Sequence, residues 1–157
     1  MRNVDLKIIP LSFLFAYTAY LLPWAGFGLM LRPDFVLLVT IYWLLRAPQY
    51  CNVGTAWLLG LLIDVSSGSL FGQNALAYTV TAFLAVAYQR RLVLFNDWQQ
   101  TAYVLLLLVL NQGVLLILKL FAGDPLPGWS YFLPSLTGIL LWQVVVYSRV
   151  RMTGTKD

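Results

Sequence analysis

The segment VGTAWLLGLLIDVSSGSLFG, residues 53–72, begins as an apolar helix, reaches an acidic side chain at Asp64 and then becomes small and polar. A charged group near the centre of a bilayer costs roughly 2.5–3.5 kcal/mol on insertion scales, so Asp64 requires protein or water around it rather than lipid. We therefore expect this segment to face other protein.

The composition is that of an integral membrane protein. Of 157 residues, 61% are hydrophobic and 10% are charged, and the mean hydropathy is +0.79, values outside the range of ordinary soluble domains. The sequence has no His, all its acidic residues are Asp, and its one thiol is Cys51. Most side chains used in acid–base, nucleophilic and metal chemistry are therefore missing, and we expect no enzymatic activity, cofactor or metal site.

Six apolar spans predict an all-α membrane protein, a compact bundle of six transmembrane helices forming one domain over residues 1–157. The spans lie at about 8–22, 33–45, 53–70, 73–88, 98–121 and 129–147. At 1.5 Å per residue, the third is about 16 Å long if it ends before Asp64 and about 27 Å long if it continues to Leu70. Either Asp64 lies inside a helix or the helix breaks there, and we expect a broken or re-entrant third helix.

The excess of basic residues indicates topology. The net charge is +4, but the cations lie mainly between the spans, which favours membrane orientation over nucleic-acid binding. Six spans place both termini on one side of the membrane, with eight cations there and two opposite. The eight are Arg2, Lys7, Arg46, Arg90, Arg91, Arg149, Arg151 and Lys156, and the two are Arg32 and Lys119. This bias predicts that both termini are cytoplasmic.

Four residues at four-residue spacing, Gly60, Asp64, Gly68 and Gly72, would form one stripe on a continuous helix. Small residues on such a stripe allow another helix or subunit to approach closely. Two other roles fit Asp64: it can cap local backbone amides where the helix ends in a Ser-Gly turn, or it can bind a cation or ligand. A capping role would largely survive Asp64→Asn, whereas a charge pair would not.

Two further pairs of polar residues are candidates for contacts. Arg32 and Asp34 flank Pro33, so they can pair, or Asp34 can favour the start of the second helix while Arg32 anchors at lipid head groups. Asn111 and Gln112 lie in the middle of the fifth span, where amide side chains form hydrogen bonds between helices.

Four motifs occur in a fixed order along the chain. They are Arg32-Pro33-Asp34-Phe35, then Asn52-Val53-Gly54, then Gly60-Leu61-Leu62-x-Asp64-x-x-x-Gly68-x-x-x-Gly72, and finally Trp98-Gln99-Gln100. In order, spacing and total length the sequence resembles the rod shape-determining protein MreD family over nearly the whole chain.

The resemblance implies a non-catalytic scaffold of the bacterial inner membrane, a subunit of the cell-elongation complex, or elongasome, that supports peptidoglycan synthesis and rod cell shape. The implied partner is the transmembrane helix of MreC, and through it the RodA glycosyltransferase, a class B penicillin-binding protein and MreB, besides membrane lipids. For partner contact or helix packing we expect Gly60, Asp64, Gly68 and Gly72 first, and Arg32 and Asp34 second.

The same resemblance implies similarity in fold to the substrate-binding membrane subunits of energy-coupling-factor vitamin transporters. The alternative function is therefore a small-molecule-binding membrane subunit of a transporter. Its polar groups at membrane depth would be Asn111, Gln112 and Asp64.

Overall fold

A computed structural model describes residues 7–23, 25–26, 28, 31–68, 72–92, 96–123, 125 and 128–153, and their side chains except those of 90–92, 97 and 146–153. The elements are α1 (Ile8–Leu21), α2 (Phe35–Arg46), α3 (Val53–Ser67), α4 (Gln73–Leu92), α5 (Asp97–Phe121), a 3-10 turn (Trp129–Phe132) and α6 (Leu133–Thr153). The described ranges hold these helices and no strand. The predicted all-α class is confirmed.

The helices differ in whether they are long and apolar enough to cross a membrane. Within the described part of the chain, one segment meets both conditions, Trp98–Phe121 in α5, with 24 residues. At 1.5 Å per residue it is about 36 Å long, more than a hydrocarbon core of about 30 Å. Helices α1, α2 and α3 are apolar but shorter. Six membrane crossings therefore remain a prediction.

Three helices begin at side chains of the sequence motifs. The carboxylate of Asp34 accepts a hydrogen bond from the Leu37 amide at the start of α2. At the start of α3, the Asn52 side chain accepts from the Thr55 amide, and the Thr55 hydroxyl accepts from the Asn52 amide. At α5, the Gln99 side chain accepts from the Asn96 amide. These contacts satisfy donors that a helix leaves free in its first turn.

The core is built around α2, which packs against α1, α3, α4 and α6. Val36, Ile41 and Leu44 are fully buried on this helix. Side chains tie the outer helices to it and to each other at several depths. The Trp43 indole donates to the Ser12 hydroxyl on α1 at 2.7 Å, and Tyr103 on α5 donates to the Leu84 carbonyl on α4 at 2.8 Å.

The outward faces of the bundle are apolar. On α1, Phe15 is 76% exposed, and on α6 Leu140 is 65% exposed; comparable side chains occur on α3, α4 and α5. Contiguous apolar surface of this kind is rare on soluble monomers. Lipid contact explains it without further assumption, because lipid chains are as apolar as these side chains.

The prediction of a broken or re-entrant third helix is wrong, because α3 is continuous. It runs without interruption from Val53 to Ser67 and ends at Gly68, whose backbone is left-handed with φ +63°. Asp64 therefore lies inside the helix, and its last turn follows the acid. The expected continuation to Leu70 falls on residues 69–71, outside the described residues.

Candidate functional site

Asp64 joins the end of α3 to the beginning of α4. Its side chain is 1% exposed. Oδ1 accepts hydrogen bonds from the amide and the side-chain nitrogen of Asn74, both at 2.9 Å. Oδ2 accepts from the amides of Gly72 at 3.0 Å and Ala75 at 3.2 Å. The carboxylate therefore caps the next helix, at the end where the helix dipole favours negative charge.

This geometry shows one of the roles that the sequence left open for Asp64. It caps backbone amides, as one alternative held, but the amides lie eight to eleven residues further along the chain. Four donors surround the carboxylate, so the cost of burying it is offset locally. Asp64 is an anchor between two helices.

The three glycines near Asp64 do not form the expected stripe with it. Gly68 and Gly72 have positive φ, +63° and +100°, and lie outside the helices, which the stripe prediction did not foresee. Gly60 makes the close approach alone, because a Cβ there would lie 2.4 Å from Cα of Ala75. Backbone meets backbone at this point. We call Gly60, Asp64, Gly72, Asn74 and Ala75 the α3–α4 junction.

Asp34 is bound differently. Besides capping α2, its two carboxylate oxygens each lie 2.6 Å from the hydroxyl of Tyr78. Tyr78 belongs to α4 and is fully buried. The hydroxyl thus links the first turn of α2 to the second turn of α4.

Arg32 contacts Tyr20 rather than forming a close ion pair with Asp34. Its Nη2 donates to the Tyr20 carbonyl oxygen, and its guanidinium carbon lies 3.9 Å from the centroid of the Tyr20 ring. Within the described ranges no Arg32 nitrogen comes within 4.0 Å of an Asp34 oxygen. Nε of Arg32 is buried and has no hydrogen-bond partner there.

A cavity of about 550 Å³ lies at the end of the bundle where α1 and α3 end and α2 and α4 begin. Its wall combines two cations and one acid with neutral polar and apolar side chains. The described lining residues are Tyr20, Arg32, Pro33, Asp34, Ile63, Ser67, Gln73, Asn74, Gln112, Leu115, Lys119, Ser130, Tyr131 and Pro134. Ligand sites are commonly of this size, with an apolar wall and a few convergent polar groups.

The cavity brings some of the predicted residues together and leaves others apart. Arg32 and Lys119, which the charge count placed on the same side, both line it. Gln112 also lines it, but Asn111 is buried against α4, with its amide oxygen 3.4 Å from the Thr81 hydroxyl. Asp64 is not among the lining residues. Of the three polar residues proposed for a pocket, only Gln112 reaches it.

Two residues of this region, Asn74 and Tyr78, were not among those predicted from the sequence. Asn74 caps nothing locally, but its amide and its side chain both serve Asp64. Tyr78 lies four residues after Asn74, on the same face of α4, and its hydroxyl binds Asp34. A polar residue just after a glycine turn and a Tyr one turn later were the available signals. In the described part of the chain, no three His, Cys, Asp or Glu side chains are grouped so as to hold a metal ion.

An apolar outer surface and a long apolar α5 are typical of a helical membrane protein. Comparison with known proteins identifies the family. The model of the rod shape-determining protein MreD family matches residues 1–149, and the chain belongs to this family. A rod shape-determining protein MreD of Haemophilus influenzae is 27% identical over 130 residues, covering 83% of this chain and 80% of the relative. No solved structure matches.

Proposed function

We propose that the protein is a non-catalytic inner-membrane subunit of the bacterial cell-elongation complex that binds the transmembrane helix of MreC and supports peptidoglycan synthesis and rod cell shape. Family membership over residues 1–149 is the observation that supports it. The RodA glycosyltransferase, a class B penicillin-binding protein and MreB would be reached through MreC. Multiple crossings with both termini in the cytoplasm complete the proposal.

The binding surface for MreC is proposed on a lipid-facing side of the bundle. A partner helix in the membrane needs an accessible apolar face, and the exposed residues Phe15, Leu58, Phe83, Leu106 and Leu140 mark such faces on five different helices. Gly60, Asp64 and Gly72 are occupied by contacts within the chain. We therefore assign these three to helix packing and not to direct partner contact.

Co-purification with MreC in mild detergent tests the proposal. A tagged chain should retain MreC, and should lose it when the MreC transmembrane helix is replaced by an unrelated apolar helix of equal length. Photo-crosslinkers at the five exposed positions should capture MreC from one face of the bundle and not from the others. Loss of the chain should round the cells; intact rods together with failure to retain MreC would refute the proposal.

The cavity is the observation that supports the alternative function, a small-molecule-binding subunit of a transporter. Its volume of about 550 Å³ is enough for a vitamin-sized ligand. Calorimetry or native mass spectrometry with a panel of vitamins distinguishes the two. A stoichiometric vitamin complex would support the alternative. Absence of binding across the panel, together with retention of MreC, would support the scaffold.

A further inference from the structure

The cavity carries an excess of positive charge in its wall. Among its described lining residues, Arg32 and Lys119 are cations and Asp34 is the one acid, which leaves one positive charge in excess. Asp34 is already engaged by Tyr78 and the Leu37 amide. Asp34 therefore does not use all the hydrogen-bond donors of the two cations.

Among the described residues, Lys119 has no acidic partner. Its Nζ lies 5.3 Å from the centroid of the Tyr131 ring, and no carboxylate in the described ranges lies within 4.0 Å of it. Arg32 uses Nη2 on the Tyr20 carbonyl, while its buried Nε bonds to none of the described residues. Two cations from separate elements thus line one cavity. Arg32 interacts electrostatically with Asp34, but among the described residues neither cation forms a close ion pair.

At the helix beginnings beside the cavity, acids of the chain already occupy backbone amides. Amides in the first turn of α4 are taken by Asp64, and one in the first turn of α2 is taken by Asp34. An anion entering the cavity would be met by the two cationic side chains and by the neutral polar groups of Gln73, Gln112 and Ser130. This combination of Arg, Lys and hydroxyl or amide groups suits a phosphate group.

Exposed aromatic residues near the cavity are consistent with a position at the level of phosphate-bearing lipid head groups. Trp129, which precedes the lining residue Ser130, is 96% exposed, and Phe121, two residues after the lining residue Lys119, is 87% exposed. Trp residues are enriched where head groups meet the hydrocarbon region. Basic pockets between membrane helices are known to bind phosphorylated head groups.

We propose that this cavity binds a phosphate-bearing ligand, with Lys119 and Arg32 contacting the phosphate oxygens. The cavity is larger than one phosphate group. The organic part of the ligand would therefore contact the wall formed by Tyr20, Ile63 and Leu115. A lipid phosphodiester and a soluble phosphate compound share this chemistry. The proposal does not depend on MreC binding.

The test uses the full chain purified in detergent and in nanodiscs. One arm measures retention of phosphatidylglycerol against diacylglycerol, which lacks the phosphate group, by native mass spectrometry after delipidation. The other measures binding of inorganic phosphate and glycerol phosphate by calorimetry. Because hydrogen bonds to charged groups are the stronger ones, Lys119→Gln should weaken binding by roughly ten-fold or more, and Lys119→Arg should restore most of it.

The matched control is Arg46→Gln, which removes a cation at the other end of α2 and outside the cavity. It should leave binding unchanged. Arg32→Gln should also weaken binding, but it removes the contact with the Tyr20 carbonyl, so Lys119 is the decisive position.

The outcomes distinguish a lipid ligand from a soluble phosphate compound. Binding of phosphatidylglycerol alone, sensitive to Lys119, supports a lipid source, and Lys119-sensitive binding of the soluble probes supports a free phosphate compound. Equal losses in Lys119→Gln and Arg46→Gln would show general attraction to a positive protein and overturn the proposal. Absence of binding to every probe in wild-type protein would also overturn it.

Discussion

Asp64 and Asp34 both act at helix beginnings inside the bundle, but their partners differ. Asp64 accepts from three backbone amides, which are donors fixed in direction, and from the side-chain amide of Asn74. Asp34 accepts from one backbone amide and from the Tyr78 hydroxyl, which can rotate and can either donate or accept. Asp34 also lines the cavity, and Asp64 does not.

Asp64 lies in a closed contact between two helices, whereas Asp34 lies at the wall of the cavity. The α3–α4 junction is closed, with backbone against backbone at Gly60 and Ala75. The cavity beside it is lined by the charged residues Arg32, Asp34 and Lys119, and it meets the junction at Asn74. An acidic residue within a membrane span is usually considered a candidate functional residue. Its hydrogen-bond partners show whether its role is instead structural.

Asp64→Ala should give the largest loss of stability. It leaves the donors of Gly72, Asn74 and Ala75 without their acceptor in a buried site. Since a buried donor without a partner costs about 1–3 kcal/mol, we expect a loss of at least about 3 kcal/mol. Unfolding in mixed micelles with increasing denaturing detergent measures it.

The control is Val65→Ala, because Val65 is the next residue and is 62% exposed on the outer face. It should unfold close to the wild-type midpoint. Equal midpoints for Asp64→Ala and Val65→Ala would remove the anchoring role of Asp64.

Gly60→Ala should have the next largest effect. The added methyl would lie 2.7 Å from the Ala75 nitrogen and closer still to its Cα, and the backbone of α4 cannot move aside cheaply. Overpacking of this kind costs about 1–3 kcal/mol. Gly113→Ala in α5 is the matched control, since a Cβ there meets nothing within 4 Å. That variant should be neutral or slightly more stable, because Ala favours a helix over Gly by roughly 1 kcal/mol.

Lys119→Gln should barely change stability although it should abolish most phosphate binding. Its ammonium group contacts the Tyr131 ring at 5.3 Å, and a cation–π contact at a partly exposed site is worth only about 0.5–1 kcal/mol. The unfolding midpoint should therefore stay near that of wild type. A large fall in the midpoint would place Lys119 among the structural residues instead.

The general architecture followed from the sequence because apolar spans and helix caps are local signals. Pro33 with Asp34, and Asn52 with the following Thr55, predict helix starts from chemistry that acts within three residues. The all-helical class and the beginnings of α2 and α3 could therefore be found without coordinates.

The arrangement around Asp64 could not be predicted in the same way. Its partners lie eight to eleven residues along the chain, across a turn, so their identity depends on how α3 and α4 pack. Four-residue spacing suggested one stripe, but the positive φ of Gly68 and Gly72 ends the helix between them. The cavity combines side chains from many elements, a long-range arrangement that spacing along the chain does not encode.

The most direct test of the distinction between the two acids is the unfolding midpoint of Asp64→Asn against that of Asp34→Asn in the same detergent. At residue 64 the new amide group would face the Gly72 and Ala75 amides in place of Oδ2, or the Asn74 amide in place of Oδ1. Contrary to the expectation from sequence, the capping role should therefore not survive the change. At residue 34, Asn caps helices about as well as Asp, and the Tyr78 hydroxyl can adjust. We expect a loss of about 2 kcal/mol or more for Asp64→Asn and under about 1 kcal/mol for Asp34→Asn. Equal losses, or a larger loss for Asp34→Asn, would contradict the account.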